Sequence, residues 1–374
     1  MSSHFTKPQS PFISCILATL ACLLATPAAS AICLSGGNSD TIINALNLNG
    51  TAELCQGAVF SANKIIKLKN NQKIFTTGYP TNDSQKALIQ VPAGATYTKP
   101  VIQAYTAQNA EIRNIRIDGN RAQNPYNYSR ALIAISGNNA WLDHVSATNT
   151  SGLSAIAASD NPNCSGLRIT NSFIGDNGFH PSTNPPGPFA NGIDYRCNNG
   201  YVGHNHIRNA TDGAISFYGG TNTIIEHNWI ANDTRSLFSG IIAATLYNGD
   251  FTGSIVRNNL IQTCCGQHIH VALAIGTHLW CDDNNPTGDC QTSSGATFIN
   301  NSGSGTFGFG IVVDGMLNAT VQGNNLVMTP WTSQNCYIPG QNWYVINQPH
   351  ASGSFQPGYI NRNVHWPCLG PINL

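Results

Sequence analysis

The sequence predicts an all-β chain wound as a parallel β-helix, a solenoid with a short capping helix at its N-terminal end. Three observations carry this. A short apolar strand that bends at an asparagine recurs along the chain. It reads AEIRNIRI, AWLDHVSA, LRITNSFI, YVGHNHI, TIIEHNWI, SIVRNNLI, ATFINNSG and ATVQGNNL. Aligned on the first buried apolar residue, the copies begin at Ile112, Leu142, Ile169, Val202, Ile225, Val256, Phe298 and Val321. Second, the two shortest intervals, Val202 to Ile225 and Phe298 to Val321, are both 23 residues, and the longer ones read as the same unit with loops inserted. A period near 23 with strand alternation and no helical pattern marks stacked coils. Third, a Gly-led strand follows in most units: NGIDYRC, DGAISFY, SGIIAAT, FGFGIVV. Its alternation is that of a strand with one buried face.

The elements follow in order. Residues 1–31 read as a secretory signal peptide: Lys7, an apolar run from Ile13 to Ala25, and a small-residue cleavage site at Ala29-Ser30-Ala31. That run is too short to span a bilayer, and no other stretch approaches 18 apolar residues, so no membrane partner is expected. Residues 32–60 read as an N-terminal cap, with Asp40 as N-cap of a helix TIINALNL over the open end of the coil. Residues 61–330 are the β-helix. Residues 331–374, rich in Trp, Tyr and Pro, are expected to lie over the last rungs as an irregular cover.

Within the repeat, Asn205, Asn228, Asn259, Asn301 and Asn324 share one slot. Asparagine tolerates the left-handed bend such a coil needs, and stacked amides satisfy one another along the axis. His204 and His227 share the slot before it with His144, Asn114, Asn171, Asn258 and Asn300. That company predicts a structural turn stack rather than a catalytic pair.

Ten cysteines follow residue 31, an even number, which in a secreted chain reads as disulfides. Their spacings lack zinc-knuckle pairs. Cys33–Cys55, Cys164–Cys197 and Cys281–Cys290 are the expected local pairs; Cys264 and Cys265 leave their partners open. Nine N-x-S/T sequons, at Asn49, Asn82, Asn127, Asn149, Asn163, Asn209, Asn232, Asn300 and Asn318, suggest a eukaryotic secretory route and an extracellular glycoprotein. Asn300, beside the bend ladder, is expected to be buried.

Only 9% of residues are charged and the formal net charge is zero, which argues against a nucleic-acid partner. The only glutamates are Glu53, Glu111 and Glu226, and no lysine follows Lys99. Acid–base chemistry must rest mainly on Asp, His, Tyr or Arg. Long insertions at 178–191, 277–291 and 329–343 carry aromatic residues that suit saccharide faces.

The Asn-bend repeat resembles that of the pectin-lyase-like superfamily of right-handed parallel β-helices over about residues 60 to 330. Gly192–Cys197, Ala210–Gly213, Tyr247–Gly253 and Ile275-Gly276 resemble secreted fungal right-handed β-helix proteins of unestablished activity. The superfamily implies polysaccharide lyases, hydrolases and epimerases, and also non-catalytic binders. Trp141-Leu142-Asp143-His144 is similar to the W-I-D-H segment of pectate and pectin lyases, but their R-x-P-x-x-R pattern is missing. The G-H-G and R-I-K segments of polygalacturonases are missing too, and Asp282-Asp283 falls in an inserted loop.

Taking Ile193, Ile215, Ile242, Val271 and Ile311 as equivalent buried positions, the alternate residues face outward. They form two columns: Asp194, Ser216, Ala243, Ala272 and Val312, beside Arg196, Tyr218, Thr245, Ala274 and Asp314. The expected catalytic set is Asp194, Arg196, Tyr218 and His270. Ser216, Thr245, Asp314, His278 and Trp280 are the expected substrate contacts. For a lyase, Arg196 neutralises a uronate carboxylate and His270 or Tyr218 moves the proton. For a hydrolase, Asp194 pairs with Asp212 or Asp314. A plain surface ion pair, Asp194–Arg196, is the alternative. No strong metal motif is present, and Ca2+, held between Asp194 and Asp314, is the cofactor to test. The expected function is a monomeric, secreted, carbohydrate-active protein, a polysaccharide lyase or glycoside hydrolase on an acidic polysaccharide. A non-catalytic carbohydrate-binding or cell-wall protein is the alternative.

Overall fold

The computed structural model describes residues 33–95, 100–124, 131–179, 189–244, 249–280, 292–332 and 344–362. The expected signal peptide, Thr245, the side chain of Trp280, the pair Cys281–Cys290 and most of the three insertions lie outside the described residues.

The repeat folds as its alignment predicts. Parallel pairing joins Ile112 to Leu142, Leu142 to Ile169, Ile169 to Val202, Val202 to Ile225, Ile225 to Val256, Val256 to Phe298 and Phe298 to Val321. These strands form the first of three columns. A second column begins just past each bend, with Ile117, Ala147, Ile174, Ile207, Ile230 and Ile261 in register. The third contains the Gly-led strands Asn191–Tyr195, Gly213–Phe217 and Leu237–Ala243, then Ile269–Ile275 and the Gly-led end of Ser302–Val313. The coil is a right-handed parallel β-helix with three strands to a turn. Winding supplies the parallel pairing that other folds obtain through crossover helices.

The core is the stack of aliphatic residues that the columns aim inward. Ile133, Ile156, Ile193, Ile215, Ile241, Leu273 and Ile311 lie one above another, all fully buried. Deleting such a side chain costs its transfer energy and leaves a cavity.

The asparagine ladder differs from expectation in one respect. Left-handed φ belongs to the preceding slot: Asn114, His144, Asn171, His204, His227, Asn258 and Asn300, at +51° to +58°. The ladder asparagines turn inward instead. Asn205 Nδ2 donates to Asn228 Oδ1, Asn228 to Asn259, Asn259 to Asn301 and Asn301 to Asn324, each at 2.9 Å. The second N–H of Asn228 reaches Val202 O, and its Oδ1 also accepts from Asn205 N. Every polar valence of that buried amide is used. The His204 and His227 rings are exposed and stacked at 5.1 Å, as a turn stack requires.

The capping helix runs Ser39–Asn49, but its N-cap is Asn38, not Asp40. Asn38 Oδ1 accepts from Asp40 N and Thr41 N, which leaves Asp40 in the first turn. Cys33–Cys55 and Cys164–Cys197 are bonded, and Cys264 pairs with Cys265. Part of the expected irregular C-terminal cover continues the coil: Tyr344–Ile346, Ala351–Phe355 and Tyr359–Asn361 add strands to it. Asn300 is exposed rather than buried, because its slot is the outward bend. Among the described residues no helix is long and apolar enough to cross a membrane.

Candidate functional site

The outward face of the third column holds the candidate site. Its register corrects the expected columns. Asp194 pairs with Ser216, Ser216 with Ile242, Ile242 with Ala274, and Ala274 with Val312. Ile242 and Ala274 therefore replace Ala243 and Ala272. In the neighbouring column Ala244 and Gly276 stand between Tyr218 and Asp314, where Thr245 and Ala274 were expected. The shift arises because Ile241 and Leu273, not Ile242 and Val271, are the inward partners of Ile215. The longer strands Leu237–Ala243 and Ile269–Ile275 begin earlier than their shorter neighbours, which hid the true register.

The strand also turns a corner. Gly192 and Ile193 both face inward, so Asn191 before them and Asp194 after them both face outward. A Cβ on Gly192 would sit 2.5 Å from Ala214 O and 2.7 Å from the Ile207 side chain, so glycine alone lets the corner pack. Opposed residues thus converge on one outward corner. Ser154 Oγ donates to Asp194 Oδ2 at 2.5 Å. Ser216 Oγ and Gly213 N both donate to Asn191 Oδ1, at 2.8 and 2.7 Å. Gly213 leaves this space open: a Cβ there would lie 2.3 Å from Ser216 Oγ.

Asp194 and Asp212 carry the electrostatics. Asp194 as a residue keeps partial exposure, but its carboxyl is enclosed, and Oδ1 is buried without a hydrogen bond among the described residues. Burial pushes its pKa up to about 7, with the charges of Asp212 and Asp160 raising it further against the pull of Ser154 and Asn191. Burial pushes Asp212 up to about 6. The Tyr218 phenol is driven well above its ordinary value by burial and by the same two aspartates, so it stays protonated and donates rather than abstracts. Tyr218 thereby loses the role of general base. Arg196 follows Asp194 by two residues, at the exit of the same strand.

Two arginines fix the start of the first insertion beside this corner. Arg235 Nη1 donates to Asn177 O and Gly178 O at 3.1 and 2.9 Å, and Arg121 Nη1 also donates to Gly178 O.

The other expected site residues lie elsewhere on the face. His270 stands opposite Phe238, which is one rung above the level of Asp212. Its Nε2 is 3.3 Å from that of His268, and both rings pack on Trp331. Asp314 is three rungs past Tyr218 and four past the level of Asp194. At about 4.8 Å per rung, the expected Ca2+ site between Asp194 and Asp314 is excluded by distance. An apolar cluster separates them: Phe238, Ile242, Val271, Ala274, Phe309 and Val312 pack together as a buried group of their own. Asp314 and His278 meet His350 instead. Ser154 and Asn191 escaped sequence reasoning, because their side chains reach the site only through the corner at Gly192.

No family model matches the chain, and no curated protein is significantly similar to it. Its strand pairing is decisive for the architecture. The fold is a parallel β-helix. This β-helix is similar to a surface protein and adhesin of Streptococcus pneumoniae, at 14% identity and TM-score 0.41 over 78% of this chain and 93% of that one. It is similar to the A-module of a mannuronan C-5 epimerase from Azotobacter vinelandii, at 14% identity and TM-score 0.41 over 85% and 100%. A hyperthermoactive exopolygalacturonase from Thermotoga maritima is 11% identical, at TM-score 0.47 over 78% and 87%. At these identities and scores the likenesses say nothing of this chain's activity.

Proposed function

We propose that this protein is a secreted glycoside hydrolase acting on a uronate-containing polysaccharide, with Asp194 and Asp212 as its acid–base pair. The carrying observation is the enclosed Asp194 carboxyl, pushed up to about 7 by burial, with the charge of Asp212 adding to the shift. Burial holds both carboxyls well above the ordinary aspartate value, so each can carry a proton near neutrality, as an acid–base pair requires. In this reading Asp194, whose carboxyl is enclosed, protonates the leaving oxygen. Asp212 serves as base or nucleophile. Tyr218, held protonated, donates to the substrate, and Arg196 supplies the cation for a uronate carboxylate.

Hydrolysis is favoured over elimination because neither base expected for elimination stands at this corner in a form that abstracts a proton: Tyr218 is held protonated, and His270 lies two rungs past Asp212. The test is a panel of acidic and neutral polysaccharides, read in parallel for reducing ends and for the absorbance of unsaturated uronate. Hydrolysis gives reducing ends without the absorbance. Asp194→Asn and Asp212→Asn each lower the rate about 100-fold or more, the ordinary worth of a general acid or base. Unsaturated products, or an Asp194→Asn variant of full activity, would overturn the proposal. Saccharide binding without cleavage across the panel would establish the binder instead.

A further inference from the structure

A second polar centre lies on the same face, past the apolar cluster, and three successive rungs build it. His278 lies in the 3-10 turn Thr277–Trp280 that follows the strand Ile269–Ile275. Asp314 directly follows the next strand, Ser302–Val313. His350 ends the turn Gln348–His350 after the strand Tyr344–Ile346, one rung further. One ring nitrogen of each histidine and one carboxylate oxygen of Asp314 all lie within 4.8 Å of one another.

The coil backbone ties the three together. His278 N donates to Asp314 O at 3.2 Å, and Gly315 N donates to His350 O at 3.1 Å. Gly315, at φ +83°, leaves the room that His278 fills: a Cβ there would lie 2.4 Å from the imidazole Cδ2. The Asp314 residue is 1% exposed, yet among the described residues no lysine or arginine pairs with it. Asn347 Nδ2 donates to its Oδ2 at 3.1 Å and fixes its plane, while Oδ1 faces His350 Nδ1 at 3.2 Å. The two imidazole rings lie 4.3 Å apart. Buried charges are paired or coordinate metals. Two imidazoles converging on a buried carboxylate held by a side-chain amide is the pattern of metal ligands with an outer partner.

We propose that His278, Asp314 and His350 form a binding site for a first-row divalent transition metal ion, with Zn2+ the ion of best fit. The donor set is two nitrogens and one oxygen with no sulfur. That set suits Zn2+ and its neighbours and disfavours Ca2+, which takes six to eight oxygens. Ligand bonds of about 2.0–2.2 Å require only a small inward movement of the three atoms. Three protein ligands leave a coordination position open, which is how a zinc ion retains water or takes an anionic oxygen. Asn347 is a positioning residue that holds the carboxylate. This site stands independently of the roles given to Asp194 and Asp212.

The experiment uses the mature protein without a histidine tag, stripped with chelator and titrated with Zn2+ by calorimetry, with bound metal counted after dialysis. One equivalent is expected. His278→Gln, Asp314→Asn and His350→Gln each weaken binding more than tenfold, while His204→Asn leaves it unchanged. Zn2+ raises the Tm of the native protein and not that of the three variants, and Ca2+ at the same concentration raises neither. Variant folding is checked by circular dichroism in metal-free buffer. If Asp314→Asn fails to fold, His350→Gln, whose ring is partly exposed, carries the test. No stoichiometric Zn2+, equal binding by His350→Gln, or displacement of Zn2+ by equimolar Ca2+ overturns the proposal.

Discussion

At the residue scale, the fold is held by two adjacent slots with opposite demands. Asn228 is 1% exposed and spends all its hydrogen-bonding capacity on three rungs. Asn228→Ala orphans several buried groups, each costing about 1–3 kcal/mol, so a loss of more than about 2 kcal/mol is expected in denaturant unfolding. His227, one residue earlier, needs only φ +54° and an exposed ring. Asparagine adopts that conformation readily, so His227→Asn should change stability by less than about 0.5 kcal/mol. Equal losses from the two variants would contradict this division of labour. Asp194 adds a pH dependence of definite sign. Its ordinary value is 3.8 and its folded value about 7. Between them the folded protein keeps a proton that the unfolded chain has released, so stability falls as pH rises through that window and levels off above it. Asp194→Asn should flatten that slope in thermal unfolding measured across the same pH range; an unchanged slope assigns it to other groups.

At the scale of the element, the third-column strand does two jobs. Its inward residues stack as core, and Ile215→Ala should cost about 2–5 kcal/mol, as for other buried large-to-small changes. Its outward residues build the site, and here the sequence was only partly legible. The first-column register was readable because every copy carries the same bend, and the asparagine amides mark it. The third-column strands carry no such mark, and from Gly213–Phe217 through Leu237–Ala243 to Ser302–Val313 they vary from five to twelve residues. A shift of one residue sends the opposite set of side chains outward. That is why Ala243 stood where Ile242 belongs, while Ala272 stood two residues before Ala274 because Val271 was taken for the inward residue that Leu273 is. Asp194, Ser216 and Tyr218 were legible because their two rungs keep one length. Asn191 and Ser154 were not, since period-two alternation gives no warning of two successive inward residues at Gly192.

At the scale of the whole molecule, the outward face carries two polar centres separated by an apolar stretch, on a solenoid whose rungs contact mainly their neighbours. The same architecture sorts the sequons. Asn209 and Asn232 are buried and hydrogen-bonded, Asn209 to Asp176 and Asp233 and Asn232 to Ala210 O. Asn49, Asn82, Asn163, Asn300 and Asn318 are exposed. Peptide mass spectrometry of protein secreted from a eukaryotic host should find glycan on the exposed group and none at Asn209 or Asn232; a glycan at Asn209 would contradict the packing of that rung. The functional account rests on one proton. The most direct measurement is pH-difference infrared spectroscopy of the carboxyl groups, native protein against Asp194→Asn. The account predicts a protonated-carboxyl band that persists to near pH 7 and is missing from the variant. A native protein whose carboxyls have all ionised within the ordinary aspartate range, with a spectrum that matches the variant, would contradict it.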